Sequence, residues 1–349
     1  MVKPGPSPFM QHRISGIIGL AALLFACASS PTDNDAGGPP EGSLAWIERR
    51  IVENPGKAEY FAMRARYFEA LDSASLAEAD WKRTIALDST ASRWRIALGD
   101  LYFRKLRLAD AEQQFQEAIA MNDTAIEARS KLSEVYLVQS RFKEAMIVAN
   151  DALRMDPLNG GLYNLKGWIH RQAGDTDLAI SSYQTAVERD PDLYDAYLSL
   201  GILHAARHSD LALDYYDGAL AARPMSVEAH YDKAMYAQEH GRDSLALALY
   251  ARIKEIDPGY PVAYYNTGYI LLENQGRVTE ARREFNLALQ RLPDYAQAYY
   301  SRGVTFELEN KLDSALADYR LAIKLSPQHT EAAEGLGRLE RRGLKVSAR

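Results

Sequence analysis

Proline recurs at Pro157, Pro191, Pro224, Pro258, Pro293 and Pro327, at intervals of 34, 33, 34, 35 and 34 residues. Pro55 stands 102 residues before Pro157, which is three further periods of 34. A fixed period of this length marks stacked supersecondary units, each too small to bury its own apolar face without a neighbour. A chain of 349 residues would otherwise suggest two or three domains. The unbroken period predicts one elongated array instead, which works through a long surface and not through a single pocket.

With each period started three residues after its proline, the other positions align. The eighth residue is small throughout: Ala65, Gly99, Ser133, Gly167, Gly201, Ala234, Gly268 and Gly303. The twentieth is alanine throughout once two one-residue changes of loop length are allowed: Ala77, Ala111, Ala145, Ala179, Ala212, Ala246, Ala281 and Ala315. The twenty-seventh is mostly alanine, with Thr84 and Ile253 departing. The twenty-fourth is bulky, from Trp81 and Phe115 to Tyr319, with Ala149 the exception.

Steps of three and four keep side chains on one helix face. Positions four, eight and eleven therefore define one helix (A) and positions twenty, twenty-four and twenty-seven a second (B), with the small residues letting the two backbones approach. Gly174, Gly241, Gly276 and Asn310 are placed to end helix A, and Asp175, Asp243 and Asp313 to cap helix B. Asp-Pro pairs at 156–157, 190–191 and 257–258 mark the turn out of each unit. Each period is a helix–turn–helix hairpin.

This pattern resembles the tetratricopeptide repeat (TPR) family, most clearly at Tyr197-Leu198-Ser199-Leu200-Gly201 and Tyr264-Tyr265-Asn266-Thr267-Gly268. The first period departs from it with Ala65 and Ser89, and the second has Asp123 where proline is usual. The resemblance implies an all-α, right-handed superhelical solenoid of stacked helix–turn–helix hairpins over residues 43–343. A leading helix at 43–57, carrying Ile47, precedes eight repeats: 58–91, 92–125, 126–159, 160–193, 194–226, 227–260, 261–295 and 296–329. A capping helix at 330–343 carries Leu336, Gly337 and a polar outer face, and a tail occupies 344–349.

The N-terminus is a different object. Residues 1–13 hold Lys3, His12 and Arg13 and no acid, and an apolar stretch runs from Ile14 to Ala26. That length is short of the roughly 20 residues of a membrane span and suits a secretory signal. The end of the stretch, Leu23-Leu24-Phe25-Ala26-Cys27, resembles a bacterial lipobox, with Phe25 an uncommon occupant of its place. The resemblance implies that residues 1–27 are a signal ending at Cys27, which is lipidated. A plain secretory peptide or an uncleaved anchor is the alternative. Cys27 is the single cysteine of the chain, so no internal disulfide is expected. Residues 28–42 are rich in Ser, Asp, Gly and Pro and read as a flexible tether reaching roughly 20 Å. Ala28 follows Cys27 where an aspartate would favour inner-membrane retention, so the expected location is the bacterial cell envelope, at the outer membrane.

A formal net charge of −6, with no Lys/Arg run longer than a pair, argues against a nucleic-acid partner. His204 and His208 stand four apart, a spacing open to metal ligation, but His170 and His204 fall on the eleventh position, where other repeats carry Phe68, Tyr102, Tyr136 and Phe306. Packing is the simpler reading of both, and a turn that of His208. No phosphate loop, nucleophile elbow or HExxH pattern is present. The chain also stops soon after the capping helix. No catalytic site, metal or cofactor is expected, and membrane contact only through the lipid.

What remains is surface. The family resemblance implies that helix A lines the concave side and exposes its second, fifth, ninth, twelfth and thirteenth residues. Repeats four to eight carry Asn164, Leu198, Tyr231, Tyr265 and Tyr300 at the fifth position, and Trp168, Ile202, Met235, Tyr269 and Val304 at the ninth. Earlier repeats carry Ala62, Arg66, Ile96, Asp100, Arg104, Ser130 and Glu134. The later repeats are thus expected to offer an apolar groove for a protein or peptide; the alternative is that these side chains pack between repeats. The Lys/Asn clamp of chaperone-binding TPR modules is missing. Function is expected to be that of a non-catalytic, lipid-anchored interaction scaffold. The alternatives are a self-associating structural protein, its inner wall filled by another copy or by its own tail, and, more distantly, an accessory subunit of an envelope enzyme.

Overall fold

The computed structural model describes residues 39–342; the candidate lipobox with Cys27, the tether up to residue 38 and the tail from 343 lie outside the described residues. Every regular element among the described residues is helical: eighteen α-helices and one π-helical turn. They fall into two compact units that meet in sequence at Asp190 and Pro191. The first holds α1 (Leu44–Glu53), α2 (Ala58–Ala70), α3 (Ala74–Leu87), α4 (Ser92–Arg104), α5 (Leu108–Met121), α6 (Ile126–Val138), α7 (Phe142–Met155), α8 (Gly160–Ala173) and α9 (Thr176–Arg189). The second holds α10 (Tyr194–Ala205), α11 (Leu211–Ala222), α12 (Val227–Glu239), α13 (Asp243–Ile256), α14 (Pro261–Tyr269), the π turn Ile270–Asn274, α15 (Val278–Arg291), α16 (Ala296–Leu308), α17 (Leu312–Leu325) and α18 (Thr330–Arg341). Even-numbered helices are the A helices of successive repeats and odd-numbered ones the B helices, with α1 leading and α18 closing.

The aligned small and large positions form the core. All eight alanines at position twenty have no solvent exposure, and the bulky residues at position twenty-four are buried with them. The reason for the small eighth residue is geometric. A Cβ added at Gly99 would lie 2.6 Å from Phe115, at Gly167 2.5 Å from Tyr183, and at Gly303 2.7 Å from Tyr319. The ring of helix B thus lies flat on the backbone of its own helix A. Where Ala149 replaces the ring, Ser133 fills the gap differently, its hydroxyl donating to the Ala145 carbonyl at 2.9 Å.

The turn from A to B is the same in every repeat but 261–295. Its fifteenth residue is left-handed: Asp72, Leu106, Ser140, Gly174, His208, Gly241 and Asn310, with Gly276 the counterpart one place later. Three are glycine and one asparagine, so the sequence signal was visible in half of the turns. The next N–H donates back to the carbonyl five residues earlier, as in Ser73 to Phe68 at 2.8 Å and Asp175 to His170 at 2.8 Å, which closes the Schellman motif. The expected aspartate caps do not form at the start of helix B. Asp175 sits at the N-cap of α9 without a cap bond, and Asp243 and Asp313 lie inside the first turns of α13 and α17. With N-cap ψ of 55 to 70°, short of the extended geometry that aims a side chain at the first-turn amides, these carboxylates make no cap bond; they sit where the helix dipole favours an acid, and Asp243 accepts instead from Asn274 Nδ2 at 2.8 Å.

The two one-residue length changes are absorbed differently. In repeat 194–226 the shortening falls at the start of helix B, where the N–H groups of Ala212 and Leu213 bond three residues back, to Ser209 and Asp210, in a tightened first turn. In repeat 261–295 the extra residue is not in a loop as expected. It enters helix A as the π turn, and the closing bond from Arg277 spans six residues to Leu271.

Candidate partner-binding surface

In the first unit the A-helix face is charged and internally paired. Glu69 accepts from the Trp81 indole and from Arg104, whereas Arg66 lies over the Trp81 ring at 5.9 Å. Lys131 stands between Glu134 at 3.3 Å and Asp100 at 3.9 Å. Burial raises both carboxyls above their ordinary range, partly offset by Lys131. Burial pulls Lys131 down, but Glu134 and Asp100 outweigh it and hold the amine above its usual value. Further along this unit, Trp168 is half-buried against the core and Asn164 is half-buried with its Oδ1 enclosed.

In the second unit the fifth and ninth positions divide. Ile202, Met235, Tyr269 and Val304 at the ninth are all part-exposed, as is Tyr300 at the fifth. Leu198, Tyr231 and Tyr265 are buried, Tyr265 completely, which corrects the expectation that all ten residues line an open groove. For Tyr231 and Tyr265 the cause is the residue just before the following A helix, whose ring packs on the fifth-position ring. Tyr260 meets Tyr231 at 6.0 Å between centroids, Tyr295 meets Tyr265 at 5.0 Å, and His329 meets Tyr300 at 4.9 Å. The result is an aromatic ladder with the fifth-position rings as its floor. Burial pushes the Tyr265 hydroxyl up to about 12 and also raises Tyr260 and Tyr295.

Three polar constellations went unread in the sequence. Arg64 grips Asp80 through two bonds of 2.7 and 2.8 Å, and Arg302 grips Asp318 in the same way. Each joins position seven to position twenty-three of one repeat, so an Arg and an Asp sixteen apart were the available signal. In the second unit the buried Asn266 donates to the Tyr250 hydroxyl at 3.0 Å, which donates to Gln238 at 2.9 Å. The histidines take packing and turn roles. His204 stacks on Tyr215 at 5.0 Å, its pKa lowered by burial and then by Arg207, and His208 holds the left-handed turn at φ 52°. Among the described residues no group of three His, Cys, Asp or Glu is placed to hold a metal, and no helix is long and apolar enough to cross a membrane.

Comparison with known proteins agrees with this geometry. Models described as "Tetratricopeptide repeat" match residues 62–126, 96–160, 205–261 and 270–330, and a further one matches 161–193. The crystal structure of the C-terminal part of a TPR repeat-containing protein from Cytophaga hutchinsonii superimposes with a TM-score of 0.60 at 16% identity, covering 69% of this chain and 99% of that one. The human Protein O-mannosyl-transferase TMTC1 is 24% identical over 57% of this chain and 22% of its own length. The human Tetratricopeptide repeat protein 6 is 23% identical over 57% of this chain and 37% of its own. The chain thus spans well under half the length of these curated relatives.

Proposed function

From the premise that the chain belongs to the tetratricopeptide repeat family, we propose that it is a non-catalytic interaction scaffold, tethered to a bacterial envelope membrane by lipid on Cys27, that holds a partner protein or peptide against its A helices. The observation that carries the binding part is the row of part-exposed apolar side chains at position nine. In the second unit these are Ile202, Met235, Tyr269 and Val304, with Tyr300 at the fifth position; Trp168 holds the ninth position in the first unit, taken by itself. Aromatic and Met side chains set in a half-desolvated face supply most of the energy of protein recognition. The anchoring part is supported by the lipobox-like sequence before Cys27 and the Ser/Gly/Pro/Asp-rich segment after it.

The test compares folding with capture. Envelope proteins crosslinked in cells to the wild-type chain are identified and measured against Trp168→Ala and Tyr269→Ala. Loss of capture by about 2 kcal/mol with helicity intact is expected of hot-spot residues. Unchanged capture in both variants overturns the groove, and self-association as the sole product assigns this face to a second copy. Metabolic labelling with a fatty acid tests the anchor: the label should disappear in Cys27→Ala, and equal labelling of both proteins removes the lipid from the proposal.

A further inference from the structure

Three residues before the left-handed turn, the A helices of repeats one, six, seven and eight carry Glu69, Gln238, Glu273 and Glu307. Three of these four side chains are fully engaged. Each accepts from the position-twenty-four ring of its own repeat: Glu69 from the Trp81 indole, Gln238 from the Tyr250 hydroxyl and Glu307 from the Tyr319 hydroxyl. The two charged ones also take an arginine from the next A helix. Arg104 of α4 binds Glu69, and Arg338 of α18 binds Glu307 at 2.9 Å.

Glu273 has neither partner. The ring below it is Phe285, which has no donor, and the next A helix offers Val304 and Leu308 at the positions that Arg338 and Arg104 occupy in theirs. Glu273 is exposed, and no hydrogen bond or ion pair holds it among the described residues. Tyr269 stands four residues before it on the same helix, and the Glu273 charge helps raise the Tyr269 hydroxyl after burial has done so. Glu273 also lies in the π turn, the one place among the described residues where an A helix departs from α geometry, and Tyr269 immediately precedes that turn. Such single-turn expansions recur at functional sites.

We infer that Glu273, four residues after the part-exposed Tyr269, is a recognition site for an arginine side chain of the bound partner. The protein satisfies the equivalent carboxylate twice with its own arginines and leaves this one to be satisfied in trans. A guanidinium matches the fork of a carboxylate and stacks on tyrosine faces, a combination that ammonium reproduces only in part. The site rests on the proposed peptide-binding function and adds the chemistry of one partner residue to it.

The test uses peptides, because no natural partner is needed. A phage-displayed random library is panned against the full chain, and the recovered peptides are measured by fluorescence anisotropy. Arginine is expected at one fixed place in the recovered set. Replacing it with citrulline, or using Glu273→Gln, should weaken binding by about tenfold or more, as loss of a charged hydrogen bond does. Val304→Arg copies the arrangement of Arg338 and should block the site in cis. Glu273→Gln changes an exposed side chain, so its effect on binding can be read even where Val304→Arg disturbs packing. Cation-free peptides that bind wild type and Glu273→Gln equally, yet are lost with Tyr269→Ala, overturn the arginine site and leave the groove intact. A library that yields no peptide binding wild type above Tyr269→Ala overturns both.

Discussion

The same substitution, glycine to alanine at position eight, should have opposite signs in two repeats. In a helix interior the change is worth about 1 kcal/mol in favour of alanine by propensity alone. At Gly167 the new Cβ would lie 2.5 Å from both Cδ1 and Cε1 of Tyr183 and 2.9 Å from Cγ. Carbon atoms rest about 3.5–4.0 Å apart, so the ring must retreat by about 1 Å. Tyr183 has no exposed surface, and its own neighbours must move as well. Overpacking of this kind costs about 1–3 kcal/mol and exceeds the propensity gain at all but its lower edge. At Gly337 the repeat has no helix B among the described residues, and the added Cβ meets only Arg341 Nη1 at 3.5 Å, the far end of a flexible side chain. Gly337→Ala therefore keeps the propensity gain of up to ~1 kcal/mol. Urea denaturation followed by circular dichroism should show the midpoint falling in Gly167→Ala and holding or rising in Gly337→Ala. Midpoints that rise together would refute the argument that ring-on-backbone contact, and not helix propensity, selects the small residue.

Two further outcomes follow from strained or buried groups. Leu106 holds a left-handed turn at φ 57° with 75% of its surface exposed, so Leu106→Gly removes a strain of about 1 kcal/mol and little packing; a lower thermal midpoint in the variant would contradict this. The pKa of His204 is lowered in the fold, so the unfolded chain takes up its proton first as pH falls below its ordinary value of about 6.5. Its contribution is complete above that pH and is lost below it. His204→Phe, the residue that repeats one and eight carry at this position, should shrink the drop in denaturation midpoint between about pH 7.5 and about 5.5, and an identical drop would remove His204 from the account.

The hairpin architecture was legible because its determinants are steric and local. Ring positions such as Tyr183 and Tyr319 and the small residues facing them recur in sequence at fixed offsets, and each offset corresponds to one contact. The turns were less legible, since Asp72, Leu106, Ser140 and His208 adopt a left-handed backbone that their residue type does not announce. There the Schellman bond and the packing of two helices over-determine the conformation. The π turn was invisible for a related reason. A 35-residue period records that one residue was added, but whether a loop or a helix takes it depends on which backbone bonds can be re-formed.

The candidate surface was only half legible because exposure at position five depends on a residue outside the helix that carries it. Tyr231 and Tyr265 sit where the family pattern exposes side chains, and they are covered because Tyr260 and Tyr295, in the junctions to the next repeat, are also aromatic. At position nine Tyr269 and Met235 stay partly open. The division bears on binding energy. Tyr300 is held by the rings of Tyr319 and His329 while staying partly open, and a ring so held loses little conformational freedom when a partner arrives, so more of its contact energy appears as affinity. The ladder therefore supports the exposed strip by fixing its floor, and substitutions at Tyr260 or Tyr295 should loosen recognition without touching the partner.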